Sequence, residues 1–185
     1  AALKILKFPR EHVIGMAGIL DSARMSHFIC EKLGYGAGQI ESSVMGGHGD
    51  AMVPLVNYST VAGVSLPELL SKEDIEDIVT KTKNGGLQIV KLLETGSAYY
   101  APAHATSLMV EAILHNTRKI YPCSVMLDGE YDCKNVVSGV PVMLGSNGIE
   151  KIIELKLNEE QKELFANSVA PVQELIDTLD EKFFI

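Results

Sequence analysis

Cys123-Ser124-Val125-Met126-Leu127, then a turn beginning Asp128-Gly129, then Val136-Val137-Ser138-Gly139-Val140-Pro141-Val142, then Gly145-Ser146-Asn147-Gly148 and the strand Ile149–Glu154, is the stretch that decides the fold. It is three β-prone runs separated by turn residues, with no helix between them. Strands joined by short turns pair antiparallel, because a parallel pair needs a crossover of a dozen or more residues. The flanking segments read as helices. Strands and helices therefore come in blocks, which predicts an α+β domain with antiparallel sheets packed against helices, not a doubly wound βαβ domain.

Outward from that block the pattern continues. A helix is expected near Ile19–Leu33, where Leu20, Ala23, His27 and Cys30 or Glu31 fall at three- and four-residue spacing, stopped by Gly34-Tyr35-Gly36-Ala37-Gly38. Ile40–Met45 and Met52–Tyr58 read as strands around Gly46-Gly47-His48-Gly49-Asp50, and Val61-Ala62-Gly63-Val64 as a hairpin turn. Leu66–Leu70 reads as a short helix, Lys72–Leu93 as a long one broken at Gly85-Gly86, and Ala101–Thr117 as an apolar one. A long amphipathic carboxy-terminal helix begins near Glu159 with Asn158 as its N-cap, and Pro171 predicts a kink or break within it.

With 185 residues, 46% of them hydrophobic and 22% charged, the chain is long enough for one sizeable core, and 1–185 is expected to be a single domain. No run approaches the ~20 apolar residues of a membrane span. A net charge of −8 argues against a nucleic-acid partner but leaves room for an anionic small molecule held by one buried arginine. Cys30, Cys123 and Cys133 are odd in number and scattered, so they read as reduced thiols of a cytoplasmic protein, neither a disulfide framework nor a metal site. The chain lacks an initiator Met and reads as starting inside a longer gene.

Two short runs carry chemistry. In Leu20-Asp21-Ser22-Ala23-Arg24 the two charges are i and i+3 on one helical face, which alone is an ordinary ion pair of about 0.3–0.5 kcal/mol. Ile14, Met16, Ile19, Leu20 and Phe28 surround it, however, and a charge pair in apolar company is partly buried and needs a reason. In Gly46-Gly47-His48-Gly49-Asp50 glycines flank an imidazole, the side chain that titrates near neutrality and exchanges protons with an alcohol or carbonyl oxygen. Together they suggest a carboxylate that orients a histidine, and an arginine that grips a substrate carboxylate with two parallel hydrogen bonds. His12, His27, His104 and His115 have no such setting.

Gly18-Ile19-Leu20-Asp21-Ser22-Ala23-Arg24 and Gly46-Gly47-His48-Gly49-Asp50, with 27 positions from Asp21 to His48, resemble the two catalytic motifs of the lactate/malate dehydrogenase family. Val13-Ile14-Gly15-Met16-Ala17-Gly18, Gly49-Asp50-Ala51-Met52-Val53-Pro54-Leu55, Gly96-Ser97-Ala98-Tyr99-Tyr100-Ala101-Pro102-Ala103 and Gly139-Val140-Pro141-Val142-Met143-Leu144-Gly145 extend the resemblance over nearly the whole chain. It implies the carboxy-terminal, substrate-binding domain of an NAD-dependent enzyme, with His48 and Asp21 as proton relay and Arg24 on the substrate carboxylate. Ser97 and Ala98 would border the substrate, and Met16 and Leu20 the nicotinamide. Gly47 stands where lactate enzymes usually carry glutamate, Met16-Ala17-Gly18 replaces their Ser-Gly-Cys, and Gly96-Ser97-Ala98 replaces their Gly-Tyr-Thr, all of which is similar to the malate branch and a four-carbon dicarboxylate. Met25, Ala51 and His104 depart from the family pattern without removing a catalytic group.

The same resemblance implies a homodimer or homotetramer and an amino-terminal dinucleotide-binding domain that this chain does not contain. The GxGxxG fingerprint of that domain is missing, and Gly34–Gly38 follows a helix and precedes a strand, the reverse of the required order. The family's mobile loop, whose arginines read the second carboxylate, is missing too. The chain alone is therefore expected to be an incomplete enzyme. The alternatives are lactate or another 2-hydroxy acid as substrate, or a noncatalytic domain kept for oligomerisation or metabolite binding.

Overall fold

The computed structural model describes residues 1–179; the last six residues lie outside it. In chain order it contains α1 (Ala2–Leu6), β1 (Gly15–Met16), α2 (Gly18–Leu33), β2 (Ile40–Glu41), β3 (Val44–Gly46), β4 (Met52–Pro54), β5 (Thr60–Val61), β6 (Val64–Ser65), α3 (Leu66–Leu69), α4 (Lys72–Leu93), α5 (Tyr100–Leu114), β7 (Lys119–Asp128), β8 (Lys134–Gly145), β9 (Gly148–Ile152) and α6 (Glu159–Asp177). Every strand pairing is antiparallel, and the α+β expectation holds.

The 119–152 block is the spine. β7 and β8 pair along their length, with Cys123 opposite Val140, and β8 turns at Gly145–Gly148 into β9. The main sheet runs β1-β7-β8-β3-β4, with β9 also on β8, and β2-β5-β6 form a small second sheet. Cys123, Val125 and Leu127 alternate inward on β7, as period 2 requires for a strand with one face on a core. That core gathers Val140, Val142 and Leu144 of β8 with Met109 and Ala112 of α5 and Phe165 and Val169 of α6. A second core joins Met25 and Ile29 of α2 to Val44, Met52, Val61, Leu66 and Ile78. Helix α2 serves both: Ile19 and Leu20 belong to the first, Met25 and Ile29 to the second. Asp21 and Arg24 lie on the stretch of α2 between the two.

Four local expectations are corrected. Ile40–Met45 is two short strands in different sheets, and Met52–Tyr58 is a strand only to Pro54, followed by a 3-10 turn at Val56–Tyr58. Helix α4 runs unbroken through Gly85-Gly86. Two internal glycines cost about 1 kcal/mol each relative to alanine, but Ile78 and Thr82 before the pair, and Gly85 itself, are buried and anchor the helix up to it. Helix α6 runs past Pro171 without the break that was one of the two outcomes expected there. Proline leaves the Asn167 carbonyl without its i+4 donor, yet Phe165 and Val169 before it and Val172 and Ile176 after it all pack on the main core. Asn158 caps α6 as expected, in a reciprocal capping box with Gln161.

The three cysteines are free, and burial pushes the Cys123 thiol up to about 12, so it is no nucleophile. Among the described residues no helix is long and apolar enough to cross a membrane, and no three His, Cys, Asp or Glu side chains gather as metal ligands do.

Candidate active site

Helix α2 buries Ile19, Leu20, Asp21, Ser22, Met25 and Ile29, so a carboxylate takes a core position among mostly apolar side chains. Asp21 is only 1% exposed. A buried carboxylate is costly unless both oxygens are paired, and here both are. Its Oδ2 lies 3.0 Å from His48 Nδ1, and its Oδ1 accepts from Arg24 Nη1 at 3.3 Å. The isolated surface pair that i,i+3 spacing allows is thus excluded by burial.

His48 reaches Asp21 from the loop between β3 and the turn at Gly49–Ala51. With Nδ1 on the carboxylate, Nε2 is left for a reactant, and the imidazole is half exposed beside the cleft. The hydrogen bond to Asp21 raises the His48 pKa above its usual value; burial and the nearby Arg24 charge pull it the other way without cancelling the shift.

Arg24 is largely buried and its Nε has no partner among the described residues. A buried guanidinium with an unsatisfied donor calls for an explanation, and Arg24 lines a cleft from which an anion can meet its fork. The glycines of α4 lie against Arg24. A methyl at Gly86 would sit 3.4 Å from both Nη atoms, and one at Gly85 3.4 Å from Arg24 Cδ. The feature that suggested a helix break is the seat of the arginine.

A cleft of about 600 Å³ opens over this pair. Of the residues singled out from sequence, Met16, Leu20, Arg24, His48, Ser97 and Ala98 all line it, with Asp21 behind. Met16, Ala17 and Leu20 make an apolar strip beside His48 that suits one face of a flat ring. Among the described residues no phosphate-binding loop lines the cleft. Sequence reasoning missed the α4 residues that line it, Lys83, Gly86, Leu87 and Val90. Their i, i+3, i+4, i+7 spacing is a helical stripe that could have been found, but a stripe with lysine and glycine in it does not read as a buried face. Lys83 is half-buried with no ion partner among the described residues. A larger groove of about 880 Å³ between α1, β1 and α6 holds neither histidine nor arginine, so size alone does not mark the chemistry.

A family model described as lactate/malate dehydrogenase, alpha/beta C-terminal domain, matches residues 19–183. The malate dehydrogenase of Sulfurimonas denitrificans is 65% identical over 184 residues, 99% of this chain and 58% of that protein. That of Aliarcobacter butzleri is 60% identical, again over 99% and 58%. Among solved structures, the malate dehydrogenase from Aeropyrum pernix superposes with a TM-score of 0.93 at 44% identity, over 99% of this chain and 59% of that one. A lactate dehydrogenase from Eimeria maxima with NADH and oxamate gives 0.90 at 41% identity, over 93% and 55%. The chain spans a little under three fifths of the length of the relatives it matches.

Proposed function

Since the chain belongs to the lactate/malate dehydrogenase family, as the alpha/beta C-terminal domain, we propose that it is the proton-and-carboxylate half of an NAD-dependent malate dehydrogenase. The observation that carries this is the buried Asp21, shared between His48 and an Arg24 with an unpartnered donor.

In the reduction of oxaloacetate, Arg24 holds the carboxylate next to the carbonyl with its planar fork. The imidazolium of His48 gives a proton from Nε2 to the carbonyl oxygen as that carbon is reduced. Asp21 stabilises the imidazolium before transfer and keeps Nδ1 as the protonated nitrogen afterwards. Oxidation of malate reverses each step, with neutral His48 taking the hydroxyl proton. NAD, when bound, supplies or takes up the hydride. Met16 and Leu20 would border its nicotinamide, and Ser97 and Ala98 the far end of the substrate. Residues 1–185 act as one substrate domain. It works beside an amino-terminal dinucleotide-binding domain, in a cytoplasmic homodimer or homotetramer.

The test is a chimera in which this chain replaces the corresponding segment of the Sulfurimonas denitrificans relative. Oxaloacetate reduction well above pyruvate reduction is expected, while the 185-residue chain alone turns over neither. A folded, NADH-binding chimera that reduces neither acid refutes the enzyme reading and favours a noncatalytic domain. Preference for pyruvate instead moves the substrate to the lactate side, as similarity to the Eimeria maxima structure allows.

A further inference from the structure

We infer that Ser168, on the carboxy-terminal helix, is the positioning residue that holds the His48 loop against Asp21; this rests on the reading of His48 and Asp21 as the proton-handling pair. Ser168 is 3% exposed. Its Oγ accepts from the Gly47 backbone N–H at 2.7 Å and donates to the Ala51 carbonyl at 2.5 Å, so it staples both sides of the loop that carries His48. These partners are 121 and 117 positions away in sequence.

A hydroxyl inside a helix ordinarily bonds back to its own i−4 carbonyl. Thr80, Thr82 and Thr106 do so here, to Glu76, Ile78 and Pro102. Ser168 instead reaches out of its helix to a loop. Another buried helical serine that does the same, Ser22 beside Asp21, accepts from Val44 N at 3.0 Å, at the start of β3. The strand that delivers His48 is therefore held at Val44 from α2 and at Gly47 from α6. The glycines before the histidine fit the same account. Gly46 has φ +80°, and a methyl there would lie 2.5 Å from Ser168 Oγ, so only a bare backbone admits the hydroxyl. Without Ser168 the loop keeps its glycine freedom and loses both fastenings. The Asp21–His48 hydrogen bond is the contact at its tip that then lengthens.

The test is NMR titration of the His48 imidazole in the full 185-residue chain. The unaltered chain titrates above 6.5. Asp21→Asn lowers the midpoint toward that value, and if it does not, the proton-pair reading itself fails. Ser168→Ala is expected to lower it as well. Phe165→Leu, which loosens the same helix where it packs on Tyr131 rather than on the loop, is expected to leave it in place even at equal loss of thermal stability. A midpoint that moves in Asp21→Asn but stays put in Ser168→Ala, or moves equally in Phe165→Leu, overturns the inference alone. Should Ser168→Ala not fold, amide exchange in the unaltered chain decides: a protected Gly47 N–H supports the staple, and one that exchanges like an unstructured glycine overturns it.

Discussion

The His48 imidazole is set from behind by Asp21, which leaves Nε2 open in front, and its pH behaviour follows. In the proposed reaction its raised pKa should let ketone reduction, which needs the imidazolium, persist to a higher pH than a free imidazole allows, while alcohol oxidation rises through the same midpoint. In the chimera, Asp21→Asn should shift both limbs to lower pH, readable from kcat/KM profiles in the two directions. The stability linkage has a matching sign. The bond's contribution is complete below the unfolded pKa near 6.5 and is lost as pH rises through the folded value. His48→Asn should cut kcat by about 10²–10⁴ with NADH binding kept, as expected for removal of a general acid–base. Arg24→Lys keeps the charge but not the fork, and should raise KM for oxaloacetate sharply; unchanged kinetics in that variant would make Arg24 something other than the carboxylate clamp. All three residues were singled out in sequence, because the i,i+3 charges and the glycine-flanked imidazole fall in two runs that resemble family motifs. The orphaned Nε of Arg24 was not, because a missing partner exists only in three dimensions.

At the scale of the element, α4 carries the sharpest difference between propensity and outcome. Glycine pairs weaken a helix in isolation, yet this one continues because its tertiary anchors outweigh a cost of about 2 kcal/mol for the pair. What the glycines provide is room: a side chain at Gly86 meets the guanidinium. Gly86→Leu should therefore displace Arg24 and raise KM for oxaloacetate while leaving thermal stability unchanged or higher, which a KM–kcat split together with a melting curve would show. If KM is unmoved, α4 is not the wall on which the arginine rests. Helix α6 makes the complementary point. Its start was written locally, in Asn158 and the acidic residues after it, and Asn158→Ala should cost about 1 kcal/mol in urea unfolding. Its passage through Pro171 was not, because the side chains that hold both halves of it lie on a sheet built from residues far away in the chain.

Across the whole molecule, the segment leading into β1 is tied to the β7–β8 hairpin by Arg10. Its guanidinium meets Glu130 through two bonds, of 2.8 and 3.1 Å, and donates to the Met126 carbonyl. The Arg10 hydrogen bond holds Glu130 down to about 2. A depressed carboxylate stabilises the fold above its unfolded pKa of about 4.5 and loses that contribution as pH falls from there toward 2. Glu130→Gln should flatten the acid limb of stability between those values; an unchanged limb in urea titrations would mean that the pair is too exposed to matter. By itself the sequence determined the fold class, since strands joined by short turns pair antiparallel. It also singled out Asp21, Arg24 and His48 as the candidate proton and carboxylate groups, through their resemblance to two family motifs. Only the tertiary structure decided that α4 lines the cleft, that its glycines lie against Arg24, and that a serine 120 positions after His48 fastens its loop. Those are facts about surfaces meeting. Spacing along a chain reports the period of one element, while close approach between two elements depends on atoms that the chain brings together only when it folds.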